Sequence, residues 1–443
     1  MINLQSHTEN RTLAQSDIIR DNSYILNSMD DLEPLIRKLK HAKIVMLGEA
    51  SHGTHEYYLW RSYISRRLIS EHGFDFIAVE GDWPDCYKLN RYVKGYNEAG
   101  DSANEVLHKF NRWPTWMWAN WEITGLAEWM RKYNAGRPKN LKAGFYGLDV
   151  YSLSESLQAL KNYLIKKDPV AWKATEKAMD CFEPYKDEDG QEYAMSMRLS
   201  PESCENEVVN MLATIRKQMP TYDTDHEAVF SVEQNALVAV NAESYYRNMV
   251  TGRMNTWNLR DKHMMDTLKR LIDFTGPKSK AIIWEHNTHI GDARATDMKR
   301  DGLFNIGELV RLEYGNNEIM LVGLGSHSGT VIASDHWDGE IEVMDQPKAS
   351  PGTWEDIMHK AGGENRLVMT NEPAISEIFD DYIGHRAIGV VYHPEREKYG
   401  NYVPTVIPKR YDAFIYLDKT MALHPLHLRP NGHLMPETFP WGF

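Results

Sequence analysis

The segment Gly48-Glu49-Ala50-Ser51-His52-Gly53 places an acid and a histidine three residues apart between two glycines. It follows a short apolar run and precedes a helical pattern, so we expect it to form a strand-to-helix turn. Glycine permits a close approach of the backbone, and the start of a helix offers free N–H groups to an anion. A histidine there titrates near neutral pH and can accept a proton from water. The alternative is that His52 only caps the helix.

Two other segments carry similar residues at the ends of apolar runs. Glu80 follows the run at 76–79, and Glu285-His286-Asn287-Thr288-His289 follows the run at 281–284. An acid that ends a buried strand is costly unless a cation, a histidine or a metal pairs with it. These segments therefore predict a second and a third contribution to one site.

Imidazole and carboxylate groups in this number also fit a zinc site. The pattern differs from the helical His-Glu-x-x-His of the zincins, so we expect chemistry without a metal and keep a divalent metal as an alternative. The candidate ligands in that case are Glu49, His52, Glu80, His286 and His289.

Arg61 lies on the helical pattern after the first motif, one turn beyond Tyr57, and shares its apolar stripe. An unpaired guanidinium is unfavourable there, so we expect it to pair with Glu49 or Glu80, to stabilise developing negative charge, or both. Aromatic residues elsewhere are candidates for an apolar wall around a bulky substrate, with packing in the core as the alternative. The candidate wall residues are Trp116, Trp118, Tyr246 and Arg247.

Short apolar runs that end at polar residues recur along the chain and are typical of strands buried on both faces. We expect such strands at 44–48, 76–79, 144–148, 281–284, 319–323, 387–392 and 413–417. An amphipathic helix is predicted at about 55–72, with Gly73 at its C-terminal cap. The order strand–helix–strand predicts an α/β fold whose mainly parallel central sheet is flanked by helices. Ligands bind beyond the carboxyl ends of such strands, where the acids and histidines accumulate.

Residues 151–276 have a different character, with helical patterns at about 154–167, 203–219 and 226–273, an acidic loop at 186–190 and a break near Gly252. We interpret them as a large helical insertion or cap that forms one wall of the active-site cleft. Residues 1–150 and 277–443 then form the α/β catalytic core. The stretch from Asp335 to Gly352 is predicted to be a long loop.

The net charge of −13 argues against a surface that follows a nucleic-acid backbone. No stretch reaches the roughly 20 apolar residues that cross a bilayer, and the first 27 residues lack the apolar core of a signal peptide. The three cysteines, Cys86, Cys181 and Cys204, are scattered. We therefore expect neither a disulfide framework nor a thiolate zinc site, and a cytoplasmic location.

Taken together, these motifs resemble the erythromycin esterase family, including members named as succinoglycan biosynthesis proteins. The similar segments are 48–53, Glu80 after its strand, 146–149, 285–289, 412–416 and 424–426. The resemblance implies hydrolysis of the lactone ester of a macrolide antibiotic, which inactivates the antibiotic, with His52 as the general base. It assigns the other catalytic positions to Glu49, Glu80, Arg61, His286 and His289, and the turn at 146–149 contributes Tyr146 and Asp149 to substrate binding.

The chain has no Gly-x-Ser-x-Gly elbow and no Walker loop, which disfavours a serine nucleophile and a nucleotide enzyme. We expect direct attack by water on a small-molecule ester or lactone, without a cofactor, nucleic acid or membrane as partner. Two alternatives stay open. One is a metal-dependent hydrolase of another ester, an amide or a polysaccharide substituent, and the other is a non-catalytic protein that binds a polyketide or a haem-like ring.

Overall fold

A computed structural model describes residues 2–185, 190–198, 203–222, 225–252 and 254–428. Most of the acidic loop predicted at 186–190 lies outside the described residues. The chain divides into two compact units. The first comprises residues 1–77, 91–144 and 278–443, and the second comprises residues 78–90 and 145–277.

Eleven strands are present in the described residues. Their bounds are β1 Ser23–Ile25, β2 Ile44–Leu47, β3 Phe76–Asp82, β4 Gly144–Asp149, β5 Ala281–Trp284, β6 Ile319–Ala333, β7 Glu342–Gln346, β8 Arg366–Val368, β9 Ile383–Arg386, β10 Tyr402–Thr405 and β11 Ala413–Thr420. In the first unit the main sheet has the order β1-β8-β11-β6-β2-β5, with β7 beside β6. The first residues of β3 and β4 also belong to this unit, and both strands continue in the second unit.

The sheet is mixed, with mostly parallel strands flanked by helices, as the sequence predicted. β2 pairs in parallel with β5 on one side and with β6 on the other, and β11 is parallel to β6. Every residue of β2 and β5 is buried, because helices cover both faces of a parallel sheet and leave no face for polar side chains. Leu47 and Trp284, the last residues of these two strands, are partners in register.

The described residues contain eighteen α-helices. Their bounds are α1 Ile2–Asp21, α2 Glu33–Leu39, α3 His55–His72, α4 Trp83–Val93, α5 Ala103–Leu107, α6 Trp121–Asn134, α7 Leu153–Lys167, α8 Pro169–Phe182, α9 Gln191–Ser196, α10 Glu205–Gln218, α11 His226–Thr251, α12 Thr256–Thr275, α13 Asn287–Ile290, α14 Ile306–Tyr314, α15 Trp354–Lys360, α16 Pro373–Ser376, α17 Glu397–Gly400 and α18 Ile407–Arg410. No helix among them is long and apolar enough to span a bilayer.

Helix α3 is the element that carries the first motif into the core, and its predicted bounds are confirmed. Tyr57, Ile64 and Leu68 on its predicted apolar stripe are fully buried. The helix ends at Gly73, which adopts a left-handed conformation with φ of +68° and donates its N–H to the carbonyl oxygen of Leu68. Periodicity and a terminal glycine were sufficient to place this helix.

The second unit is built mainly from helices α7 to α12, and the apolar faces of α7 to α11 form one core. Leu157, Leu160 and Leu164 of α7 belong to this core at the spacing of one helix face. The expectation that the cysteines stay unpaired is wrong for two of them, because Cys181 and Cys204 form a disulfide in this unit. Their Cα atoms are 5.9 Å apart although 23 residues separate them in sequence. Cys86 is a free, buried thiol.

Two predictions about the second half of the chain are wrong. The run at 387–392 is not a strand and makes only isolated bridges, Ser51 with Ile388 and Ser334 with Val391. Ile388 is nevertheless fully buried, so the apolar run reflects packing and not a ladder. The predicted loop from Asp335 to Gly352 contains β7, which pairs antiparallel with the end of β6.

Candidate active site

Glu49 and His52 form a hydrogen-bonded pair immediately beyond the carboxyl end of β2. Oε1 of Glu49 lies 3.0 Å from Nδ1 of His52, and both residues are buried. A carboxylate only accepts hydrogen bonds, so Nδ1 carries the hydrogen of this pair. In the neutral imidazole the lone pair is then on Nε2. Glu49 therefore sets the tautomer that a general base needs.

The two glycines of the motif allow the turn to pack against neighbouring backbone. A Cβ atom on Gly53 would lie 1.9 Å from the carbonyl oxygen of Ile332, and one on Gly48 would lie 2.0 Å from Oδ1 of Asn287. The main chain uses this proximity, since Gly53 accepts a hydrogen bond from the N–H of Ile332 and Glu49 accepts one from the N–H of Asn287. Close packing on both sides fixes the backbone that carries His52.

Arg61 pairs with the same carboxylate from one side of helix α3. Its Nη2 lies 2.5 Å from Oε2 of Glu49, and the guanidinium is fully buried. The guanidinium also stacks over Tyr58 and Trp284, with its carbon 4.6 and 4.7 Å from the ring centres. Of the two partners that the sequence left open for Arg61, Glu49 is the one seen. Each oxygen of Glu49 thus has its own donor.

Tyr58 is hydrogen-bonded to the main chain of the turn that carries His52. Burial, together with the nearby charge of Glu49, raises the pKa of Tyr58 well above its usual value. Its hydroxyl therefore stays protonated and donates a hydrogen bond to the carbonyl oxygen of His52 at 3.2 Å. This hydrogen bond and the glycine contacts together hold the main chain on either side of the imidazole.

His286 lies next to His52 because β2 and β5 end in register. The two ring centres are 5.0 Å apart. His286 caps helix α13, and its Nδ1 accepts a hydrogen bond from the N–H of Thr288 and lies 2.8 Å from the Thr288 hydroxyl. A neutral imidazole whose Nδ1 is an acceptor carries its hydrogen on Nε2. His52 and His286 are thereby held in opposite tautomers.

His289 is on the same short helix and is 2% exposed. Four of the predicted catalytic side chains, those of Glu49, His52, Arg61 and His286, therefore form one contiguous cluster in the first unit. His289 is buried one turn of helix away from that cluster.

Glu80 has a different set of partners, which lie with it in the second unit. Arg260 of α12 donates through Nη2 to Glu80 at 2.7 Å and through Nε and Nη2 to the two oxygens of Asp149 at 2.9 and 2.6 Å. Burial alone would raise the pKa of Asp149, but the charge of Arg260 outweighs it and lowers that pKa. The cation predicted for a buried strand-end acid is therefore Arg260.

Arg260 is not among the candidate site residues that the sequence motifs indicated. The signal that identifies it is the charge deficit of two acids that end neighbouring runs. A buried pair of carboxylates requires a cation with several donors, and arginine supplies five.

The two tryptophans predicted to line the substrate wall are both buried in the first unit. Trp116 is fully covered, and its ring is packed edge to face against Trp113. Trp118 is 6% exposed, and its ring centre lies 6.1 Å from that of Tyr58, the residue that supports the turn of His52. Trp118 therefore packs against a residue that supports the cluster.

The remaining predicted binding residues lie in the second unit and have protein partners. The hydroxyl of Tyr146 donates to Glu227 at 2.6 Å, and that of Tyr246 donates to the carbonyl oxygen of Tyr151 at 2.9 Å. Arg247 forms a two-point ion pair with Glu243 one turn earlier on α11. These contacts are ones that stabilise the unit itself.

The alternative of a bound metal ion requires that the ligand atoms of several acids and histidines lie close together. In the described part of the chain, one group of three such side chains has ligand atoms within 4.8 Å of one another, and it consists of His55, Glu122 and His424. It contains none of the ligands that the sequence proposed.

Comparison with known proteins identifies the family of this chain. The family model described as erythromycin esterase matches residues 69–420. The chain belongs to the erythromycin esterase family. Glu80, Asp149, Arg260 and His286 lie inside the matched residues, whereas the turn with Glu49 and His52 precedes them.

Curated relatives in the erythromycin esterase family are distant. Erythromycin esterase type II of Escherichia coli is 20% identical over 325 residues, which are 69% of this chain and 74% of that protein. The putative hydrolase YbfO of Bacillus subtilis is 19% identical over 413 residues, which are 88% of this chain and 86% of that protein. Membership supports a hydrolase.

Solved structures share the fold over most of their length. A crystal structure of a succinoglycan biosynthesis protein has a TM-score of 0.72 at 19% identity and covers 93% of this chain and 98% of its own. An erythromycin esterase mutant, EreC in its open conformation, has a TM-score of 0.63 at 15% identity and covers 89% and 94%. Both likenesses establish the fold of this erythromycin esterase family member.

Proposed function

We propose that this protein hydrolyses a carboxylic ester or a lactone by direct attack of water that His52 activates. The observation that carries the proposal is the pair of imidazoles 5.0 Å apart, whose Nδ1 partners favour a lone pair on Nε2 of His52 and a hydrogen on Nε2 of His286. Hydrolysis of an ester uses both functions, one to move a proton from water to the leaving oxygen and one to stabilise the negative charge that develops on oxygen.

The reaction then proceeds in two steps. Nε2 of His52 takes one proton from water while the water oxygen bonds to the carbonyl carbon, and the carbonyl electron pair moves to oxygen. When this oxyanion collapses, the bond to the leaving oxygen breaks and that oxygen takes the proton that Nε2 of His52 received from water, while the N–H on Nε2 of His286 donates a hydrogen bond to it. The products are one acid and one alcohol, and both histidines end in the protonation states in which they began.

Three further residues have supporting roles in this mechanism. Glu49 orients His52 and stabilises the imidazolium that forms, as the third member of a hydrolase triad does. Arg61 is a positioning residue, since its contact is to Glu49. His289, which shares a segment with His286, is assigned to the oxyanion.

Glu80 is assigned a catalytic role by the family resemblance alone. Within the second unit its carboxylate is held by Arg260, and that ion pair fixes the carboxylate in one orientation.

A macrolide lactone is the substrate that the name of the Escherichia coli relative brings to this chain. The proposal is tested by incubating the purified protein with a panel of macrolides and simple esters and following each by mass spectrometry. We expect a gain of one water, 18 mass units in ordinary water and 20 in H₂¹⁸O, on at least one compound. Binding of panel compounds without any such gain would instead make the chain a binding protein.

The same assay separates direct water attack from a covalent route. In a single turnover in H₂¹⁸O with enzyme in excess, direct attack places the heavy oxygen in the acid product from the first turnover. An acyl-enzyme formed through a protein carboxylate and cleaved by water at the protein carbon would instead give first-turnover product without the label and leave the label in the protein.

A further inference from the structure

His55, Glu122 and His424 meet in the first unit, and the proposed mechanism uses none of them. His55 is the first residue of α3, Glu122 lies in the first turn of α6, and His424 follows β11. Nδ1 of His55 lies 2.5 Å from Oε1 of Glu122, and Nδ1 of His424 lies 2.6 Å from the same oxygen. Three distant chain segments thus converge on one carboxylate.

The carboxylate is buried and only half satisfied. Glu122 is 6% exposed, and its second oxygen, Oε2, has no hydrogen-bond partner among the described residues. A buried carboxylate with one oxygen that accepts no hydrogen bond favours a nearby cation.

We propose that His55, Glu122 and His424 bind a divalent first-row metal ion, with zinc as the preferred ion. Two imidazoles and one carboxylate are a recurring ligand set for such ions. The three ligand atoms lie within 4.8 Å of one another. Zinc bonds of about 2.0–2.2 Å would replace the two hydrogen bonds to Oε1, so the Nδ1 protons would leave and the 2.5 and 2.6 Å separations would widen. The side chain of His424 is 35% exposed, so the ion has a route from solvent.

The position of this site in the chain makes its role structural. The segment after β11 already joins the start of α3 through a bridge between Thr54 and Ala422, and it joins the start of α6 through a bridge between Asn120 and Pro425. An ion held by one side chain from each segment would link all three. Since His55 is three residues from His52, the bound ion would also stabilise the turn that carries the proposed base.

The test measures metal affinity and does not depend on esterase activity. Full-length protein is stripped with a chelator and titrated with Zn²⁺ by calorimetry, and metal content after dialysis is measured by mass spectrometry. We expect one equivalent of zinc in the wild type. Glu122→Gln keeps the shape of the side chain and His424→Ala removes an exposed ligand, and each should weaken binding at least ~10-fold, the lower range for loss of a group that supports a metal site.

Two control variants separate this site from other histidines. His336→Ala removes an exposed histidine that pairs with Asp335, and His52→Ala removes the proposed base. Both should bind zinc as the wild type does. Loss of zinc from His52→Ala together with retention in His424→Ala would place the ion at the candidate active site and overturn the proposal.

The remaining outcomes are also decisive. No uptake of zinc by the wild type at tens of micromolar overturns the site, as does wild-type affinity in both Glu122→Gln and His424→Ala. If a variant fails to fold, X-ray absorption of the zinc-loaded wild type decides. It should show two imidazoles and oxygen ligands, and a shell without two imidazoles refutes the assignment.

Discussion

Replacing Glu49 by glutamine separates the catalytic role of this carboxylate from its structural one. Both oxygens of Glu49 are in use, one by His52 at 3.0 Å and one by Arg61 at 2.5 Å, and all three residues are buried. Glu49→Gln removes the charge at nearly constant shape. Because a buried guanidinium then lacks its counter-charge, we expect a loss of about 3–5 kcal/mol in the free energy of unfolding.

The loss of turnover in Glu49→Gln should be larger than partial unfolding of the variant could cause. An amide group can donate a hydrogen bond to Nδ1 of His52, which favours the tautomer with its hydrogen on Nε2 and removes the base. It also no longer stabilises the imidazolium. A loss in kcat of up to about 10⁴-fold is the size expected for a carboxylate-to-amide change at this position of a hydrolase triad.

A double variant supplies the control. Glu49→Gln with Arg61→Met removes both partners of the buried ion pair, so most of the lost stability should return. Turnover should stay low, because neither change restores the carboxylate beside His52. Stability is read from urea unfolding and turnover from the compound found in the screen. If kcat recovered together with stability, Glu49 would be structural only and the reasoning would be refuted.

Three further predictions follow from the contacts. Gly53→Ala should lower the free energy of unfolding by about 1–3 kcal/mol, because its Cβ would lie 1.9 Å from a backbone oxygen. Gly389→Ala is the control and should be neutral, because a Cβ there has nothing within 4 Å. Equal effects of the two changes would contradict the packing argument. Arg260→Met should lower stability by about 3–5 kcal/mol by leaving Asp149 without its cation, and wild-type urea unfolding would count against that ion pair. Burial lowers the pKa of His263 to about 4, so the free energy of unfolding should fall by about 3 kcal/mol as pH drops from about 6.5 to 4. His263→Phe should flatten this dependence of stability on pH. An unchanged pH dependence in the variant would remove His263 as the cause.

The parts of the fold that the sequence predicts are those set by local pattern. Helix α3 follows from the spacing of Tyr57, Ile64 and Leu68 and from Gly73. The buried parallel strands follow from short apolar runs, since covered strands have no polar face. The run at 387–392 shows the limit of this rule, because burial without a partner strand gives the same composition.

The candidate site was predictable where its contacts are local. Glu49, His52 and Arg61 lie within one strand-to-helix unit, so their spacing alone brings them together. His286 is far in sequence, but the adjacency of parallel strands places it at the same sheet edge. In contrast, the pairing of Glu80 with Arg260 spans 180 residues and depends on how α12 packs. The disulfide between Cys181 and Cys204 likewise depends on helix packing, which spacing does not reveal.

The role of His52 as the base is tested most directly by the turnover of His52→Ala on the compound found in the screen. We predict that kcat falls by about 10²–10⁴-fold, while the thermal midpoint stays near that of the wild type, because the backbone of this turn is held by main-chain hydrogen bonds. Turnover near the wild-type rate in a folded His52→Ala protein would contradict the account.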